Sequence, residues 1–221
     1  AIVDAKRKDN EYPFNGLAGC GVAFKLTQAL SIKLNLNENE WLKYIDIACI
    51  GTISDIVPLI DENRVIAKLG LMLVEVTKNV GLKTLISMVG AKKIDSSFIS
   101  FGISPRINAC GRMGHQEDAL ELFLTNDPIE ARNLAIKLEE YNRQRQEIEK
   151  NIYNEALELI SKEKDEPCIV LGKEGWHHGV IGIVSSKVTD ITYKPSILVC
   201  FEGENSKGSG RSIQGFDLHE A

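Results

Sequence analysis

Asp55 is a carboxylate in an unusual setting, standing between Ile53 and Ile56-Val57 in the stretch Gly51-Thr-Ile-Ser-Asp-Ile-Val-Pro-Leu59. An ionised carboxylate among apolar side chains is costly unless a metal, a cation or hydrogen-bond donors hold it. Two roles fit, metal ligand and helix cap, and the residues alone leave both open. Farther on, Pro105, Gly111 and Gly114 punctuate a stretch, Ile103 to Gly114, that reads as an irregular loop carrying Arg106, Asn108 and Arg112. Guanidinium forks match phosphate oxygens, and loops on a rigid scaffold are where binding residues gather. The competing reading pairs both arginines with structural carboxylates.

Two more stretches suit an anion. Gly175-Trp-His-His-Gly-Val-Ile-Gly182 puts His177 and His178 at the expected start of a helix, where free N–H groups and the helix dipole attract negative charge. Adjacent histidines point apart, so one is expected to face a ligand and the other solvent; a plain cap region is the alternative. In Lys207-Gly-Ser-Gly-Arg-Ser212, period-two alternation puts Ser209 and Arg211 on one face, with Gly208 and Gly210 leaving the backbone bare. A hydroxyl beside a guanidinium suits a phosphate or a nucleotide backbone, against the plainer reading of a weak solvent-facing strand. Gly16-Leu-Ala-Gly-Cys-Gly21 also opens a helix, but it lacks the GxxxxGK[ST] spacing of a phosphate loop and is expected to serve packing.

The element that must position these groups is one long helix. Asp127 can cap it, Pro128 suits its first turn, and Glu130 stands where a capping-box partner would reach back. Leu134, Leu138, Tyr141, Ile148, Ile152, Leu159 and Ile160 then recur at three- and four-residue steps as far as about Glu163. Roughly 35 residues at 1.5 Å each give about 50 Å. Its waist, Asn142 to Glu147, carries no apolar side chain. Such a helix bridges two bodies through solvent, or else forms an antiparallel coiled-coil arm.

Before it, helices are expected over Gly16–Leu30, Trp41–Ile50, Arg64–Val76, with Ile66, Leu69, Leu73 and Val76 inward, Val80–Val89 and Glu117–Leu124. After Pro167 the pattern becomes strand 168–171, helix 180–191, strand 196–201, a turn at 202–205 and an edge strand 206–213, a small α/β unit. Ala1-Ile2-Val3 reads as the tail of a buried strand, and Asp217 to Glu220 as a helix cap and first turn. Both ends therefore read as cut from a longer protein.

The totals restrict the partners. With 26 Lys and Arg against 31 Asp and Glu, the net charge is -5, so a nucleic-acid contact must be a local basic patch. The 5 cysteines are widely spaced with no CxxC pair, which reads as buried, reduced thiols in a cytoplasmic protein. No apolar run is long enough to span a membrane.

Taken in order, Gly51–Leu59, Pro105–Met113, Trp176–Ile183 and Gly208–Ser212 resemble the single-stranded-DNA-specific exonucleases of the DHH phosphoesterase superfamily, and Tyr12-Pro13-Phe14 and Gly16–Gly19 extend the resemblance over nearly the whole chain. The resemblance implies an α/β protein in which the helix-rich C-terminal part of a DHH domain (1–126) is joined by a connecting helix (127–164) to a small α/β DHHA1 substrate-binding domain (165–221). It implies a 5'-to-3' exonuclease of DNA repair and recombination that uses two manganese or magnesium ions and takes single-stranded DNA as substrate, with the active site in the cleft between the domains. Under it Asp55 is a catalytic metal ligand, and Arg112 reaches the scissile region. Ser209 and Arg211 hold the 5'-phosphate end, and His177 is the histidine of a WHxG turn, with Arg106 and Asn108 further phosphate contacts. His178 falls at a variable position and receives no role.

The DHH triplet and the earlier aspartates are absent from the chain, as is the family's C-terminal extension, and one aspartate cannot hold two metals in line. The piece alone is therefore expected to be inactive. Two other readings stay open: a superfamily phosphodiesterase acting on short oligoribonucleotides or cyclic dinucleotides, and a non-catalytic nucleic-acid-binding relative.

Overall fold

The computed structural model describes residues 2–37, 39–161, 166–203 and 205–221. Ala1 of the expected first strand, Glu163 at the expected end of the long helix, the expected boundary at 164–165 and Glu204 of the expected turn lie outside them. The chain divides into two compact units, residues 1–108 with 116–138, and residues 109–115 with 139–221.

The first unit is helical: α1 (Gly19–Lys33), α2 (Asn39–Leu42), α3 (Ile45–Ser54), α4 (Asp61–Glu75), α5 (Val80–Val89), α6 (Ser96–Phe98), the first half of α7 (Ser104–Arg112), α8 (Gln116–Leu124) and the start of α9 (Pro128–Ile160). Small residues set its close approaches. A Cβ on Gly51 of α3 would come within 2.5 Å of Cys20 Sγ on α1. One on Gly70 of α4 would overlap Cys49 Cβ and lie 2.7 Å from the Ile45 carbonyl, and one on Gly81 of α5 would overlap the Leu122 carbonyl of α8. The Gly16–Gly21 stretch likewise serves packing, since a Cβ on Gly21 would meet the Leu17 side chain at 3.2 Å.

Gly70 explains a correction. Helix α4 turns Asn63, Ile66, Ala67, Gly70 and Val74 inward, while Leu69, Leu73 and Val76 are exposed. Ile66 faces inward as expected, but the rest of the buried stripe runs through Ala67, Gly70 and Val74 instead of the leucines, because α3 comes too close at Gly70 for a larger side chain there. The expected 41–50 helix is broken into α2 and α3 by a turn at Lys43-Tyr44. The expected initial strand is absent: Ile2 and Val3 are exposed, and the described residues of this unit hold no strand for them to join.

The arginine-bearing stretch is a helix, not a loop. A π-turn over Ile99–Ile103 runs directly into α7, with the Ser104 N–H donating to the Ile99 carbonyl five residues back. That wide turn absorbs Pro105, which has no N–H to donate and would crowd a regular α-turn. Ser104 Oγ donates to the same Ile99 carbonyl at 2.8 Å and also bonds Ser54 Oγ.

Helix α9 has 33 residues and passes from the first unit to the second between Leu138 and Glu139. Asp127 caps it, accepting from Ile129 N at 2.8 Å. Glu130 does not close the capping box: Thr125 Oγ1 takes its place, accepting from Asp127 N at 3.1 Å, and bonds the Glu130 carboxylate.

In the second unit, β1 (Ile169–Glu174), α10 (His178–Thr192) and β2 (Ser196–Glu202) form a βαβ motif with β1 and β2 parallel, and β3 (Asn205–Arg211) pairs antiparallel with β2 as an edge strand. Ile169, Leu171, Leu198 and Cys200 bury one sheet face against Val180, Val184 and Val188 of α10, with Ile152 and Ala156 of α9 in the same core. The last residues form the expected capped turn, with Asp217 Oδ1 accepting from His219 N at 2.8 Å. The cysteines are all free, but not all buried: Cys168 is exposed and Cys20 partly so.

Candidate nucleic-acid interface

The start of α10 is the organising surface of the second unit. His177 occupies the N-cap and its Nδ1 accepts from Gly179 N at 3.1 Å, so the imidazole fills the place an anion would take on that N–H. His178 turns outward to Glu202 Oε1 at 2.8 Å, and the two rings stack with centroids 5.2 Å apart. Burial, then the neighbouring His178, holds the His177 imidazole below its usual range, with Glu202 opposing. A neutral ring with a bare Nδ1 is what the cap requires.

Gly179, Gly182 and Ser186 follow at i, i+3 and i+7, one face of the helix. Each receives a group from elsewhere in the unit. Arg112 Nη1 donates to the Gly179 carbonyl at 2.9 Å, and a Cβ on Gly179 would overlap the Arg112 carbonyl. A Cβ on Gly182 would lie 2.8 Å from Ser209 Oγ and 3.3 Å from Arg211 Nη2. Arg211 Nε donates to Ser186 Oγ at 2.9 Å, and its Nη1 to Ser209 Oγ at 3.3 Å and to the Gly210 carbonyl at 2.7 Å. The structure thus brings Arg112, His177, Ser209 and Arg211 onto one glycine-bare helix face.

The expected open backbone at Gly210 is filled by the chain itself: a Cβ there would come within 2.5 Å of Leu218 Cδ2, on the sheet face opposite Ser209 and Arg211.

Positive charge is in excess here. Neither Arg112 nor Arg211 bonds a carboxylate among the described residues, so the ion-pair reading does not hold for Arg112. Burial, then the guanidiniums of Arg145 and Arg211, lowers the Arg112 pKa, with Glu149 partly offsetting them. Arginine stays protonated through such a shift.

Sequence reasoning missed the groups beneath this face. Glu149, buried, bonds Arg145 Nη1 and accepts Lys187 Nζ at 2.5 Å, while Arg145 Nη2 donates to Asn142 Oδ1 at 2.7 Å. The waist of α9 is therefore not simply solvated. The signal was present: Leu134, Leu138, Asn142, Arg145, Glu149, Ile152 and Ala156 continue one three-four stripe through the polar stretch.

The other expected site residues belong to the first unit. Asp55 is the C-cap of α3, not an N-cap, and it is exposed, not held in an apolar pocket. Its carboxylate has no hydrogen bond or ion pair among the described residues, at a helix end whose dipole disfavours negative charge. The apolar neighbours misled because Ile53 points into the core while Ile56, at φ 55°, turns out to 88% exposure. Arg106 Nη1 donates to the Gly102 carbonyl of its own helical run at 2.6 Å, and Asn108 is exposed. No group of three or more His, Cys, Asp or Glu among the described residues could hold a metal ion. A single carboxylate does not make a metal centre.

The fold is of the α/β class, helix-rich with a small mixed sheet, and it recurs in solved structures. It matches the crystal structure of RecJ in complex with Mg2+ from Thermus thermophilus with a TM-score of 0.84 at 37% identity, covering 92% of this chain and 32% of that one. It matches RecJ in complex with Mn2+ from the same organism with a TM-score of 0.85 at 36% identity, covering 95% and 31%.

In sequence, all of the chain aligns with 28% of the single-stranded-DNA-specific exonuclease RecJ of Bacillus subtilis (strain 168), at 42% identity over 226 residues. The homologues of this chain are thus RecJ proteins, and it spans less than half the length of the curated relatives it matches. No protein-family model matches. Among the described residues no helix is long and apolar enough to cross a membrane.

Proposed function

We propose that this chain is the substrate-gripping part of a cytoplasmic, RecJ-like nuclease that removes nucleotides from the 5' end of single-stranded DNA in repair and recombination. In this reading the first unit is the C-terminal part of a DHH domain, the second a DHHA1 domain, and α9 their connection. The observation that carries it is the convergence of Arg112, Ser209 and Arg211 on the glycine face of α10, with no carboxylate on either arginine among the described residues. A terminal phosphate is bidentate and carries nearly two charges, so it uses a guanidinium and a hydroxyl together. The specificity of the relatives for single-stranded DNA supports that choice of substrate. Asp55, unpartnered at its helix end, would give one carboxylate to a manganese or magnesium centre whose other ligands come from outside these residues. Such a metal pair would supply the activated water and stabilise the leaving oxygen.

The test uses this chain and labelled oligothymidylates ending in a 5'-phosphate or a 5'-hydroxyl. The chain should prefer the phosphate, and Arg211→Ala should erase the preference and lower the salt slope of binding by about one charge. A preference unchanged in that variant would refute the assignment. Release of mononucleotides by the chain alone would refute the division of labour.

A further inference from the structure

We infer that the first unit carries a docking groove for an acidic, amphipathic helical segment of a partner protein. The groove has a volume of about 970 Å³ and lies between α5 and the first turns of α9, within that unit. Helix α5 presents Lys83, Ser87 and Met88 to it, and α9 presents Pro128, Arg132 and Ile136 at steps of four residues. Val76 and Lys78, from the segment before α5, line it as well.

Three features select the occupant. The lining holds three cations, Lys78, Lys83 and Arg132, and no carboxylate. None of the three forms an ion pair among the described residues. In a chain of net charge -5 this is a local reversal of sign, which complements an acidic partner. The apolar part is also exposed, with Val76 at 67%, Ile136 at 53% and Met88 at 38%. Aliphatic side chains together with an adaptable methionine suit leucine-like anchors. Finally, two turns of helix form a cylinder about 10 Å wide and 11 Å long, roughly 850 Å³, close to the volume available. That matches a helix laid in a groove with anchors one turn apart. A single strand of nucleic acid is the weaker fit, because the lining has no aromatic ring on which a base could stack.

The test is fluorescence anisotropy of the full chain with a labelled synthetic helical peptide that carries leucine along one stripe and glutamate on its flanks. Lys83→Glu combined with Arg132→Glu, both on exposed side chains, should raise the Kd at least about tenfold. Lys92→Glu with Lys150→Glu, an equal charge change outside the groove, should leave the Kd within about twofold. Met88→Asp should weaken binding although its charge lies outside the cation set. Circular dichroism of each variant confirms folding. The inference is overturned if the peptide does not bind, or if both double variants weaken it equally. It is overturned too if labelled oligothymidylate, and not the peptide, is displaced by the groove variant.

Discussion

Replacing Glu149 by alanine tests whether the polar waist of α9 is a structural part of the second unit. The Glu149 and Arg145 side chains are 9% and 13% exposed, and the pair is joined by Lys187 at 2.5 Å and by Asn142. Removing the carboxylate leaves Arg145, mostly buried, with Asn142 but no counter-charge, and close enough to Arg112 to repel it. Breaking one side of a buried pair costs about 3–5 kcal/mol. Lys187, half exposed, can turn to water and adds at most about 1 kcal/mol. A loss of about 3 kcal/mol, divided by a urea m-value of about 2 kcal/mol/M, lowers the midpoint by roughly 1.5 M.

The chain has 2 tryptophans, one in each unit: Trp41 in the first, and Trp176, buried and bonded to Glu155 at 2.7 Å, in the second. In a Trp41→Phe background, fluorescence therefore follows the second unit alone, which matters because two units need not unfold together. Glu149→Leu with Arg145→Met should recover most of the loss, since apolar replacements of a buried pair are often neutral. A midpoint shift below about 0.3 M for Glu149→Ala would refute the reasoning.

Further outcomes follow from the first unit. Gly70→Ala should destabilise it by about 1–3 kcal/mol, because the new methyl meets the Ile45 carbonyl and Cys49, which outweighs the gain of about 1 kcal/mol in helix propensity; a thermal melt that rises would contradict the packing account. Burial, then the charges of Asp46 and Cys20, pushes the Cys49 thiol up from 9.0 to about 12. The folded state therefore favours the neutral thiol, and its contribution, complete below pH 9, is lost as the pH rises towards about 12. Cys49→Ala should flatten the fall in stability over that window, and an unchanged slope would assign it to other groups.

Much of the fold was legible because hydrophobic period and local caps act over a few residues. Helix α5 spans Val80–Val89 as its pattern predicts, ending at Gly90 with φ 78°, and the βαβ motif after Pro167 has the element order its alternation predicts. The face of α4 was not legible, since it depends on how near α3 comes at Gly70, a distance no periodicity encodes. Nor was α7: proline and glycine spell a loop until a π-turn takes up the proline. At the site, alternation alone put Ser209 and Arg211 on one side of β3. Their meeting with Arg112, and the buried Arg145 and Glu149 beneath, came only with the tertiary structure. Those charges lie far apart along the chain, and whether a charge is screened by water or confined beside another is set by the neighbours that folding supplies. Sequence by itself determined which residue types were available; three-dimensional packing decided which of them stand without a counter-charge.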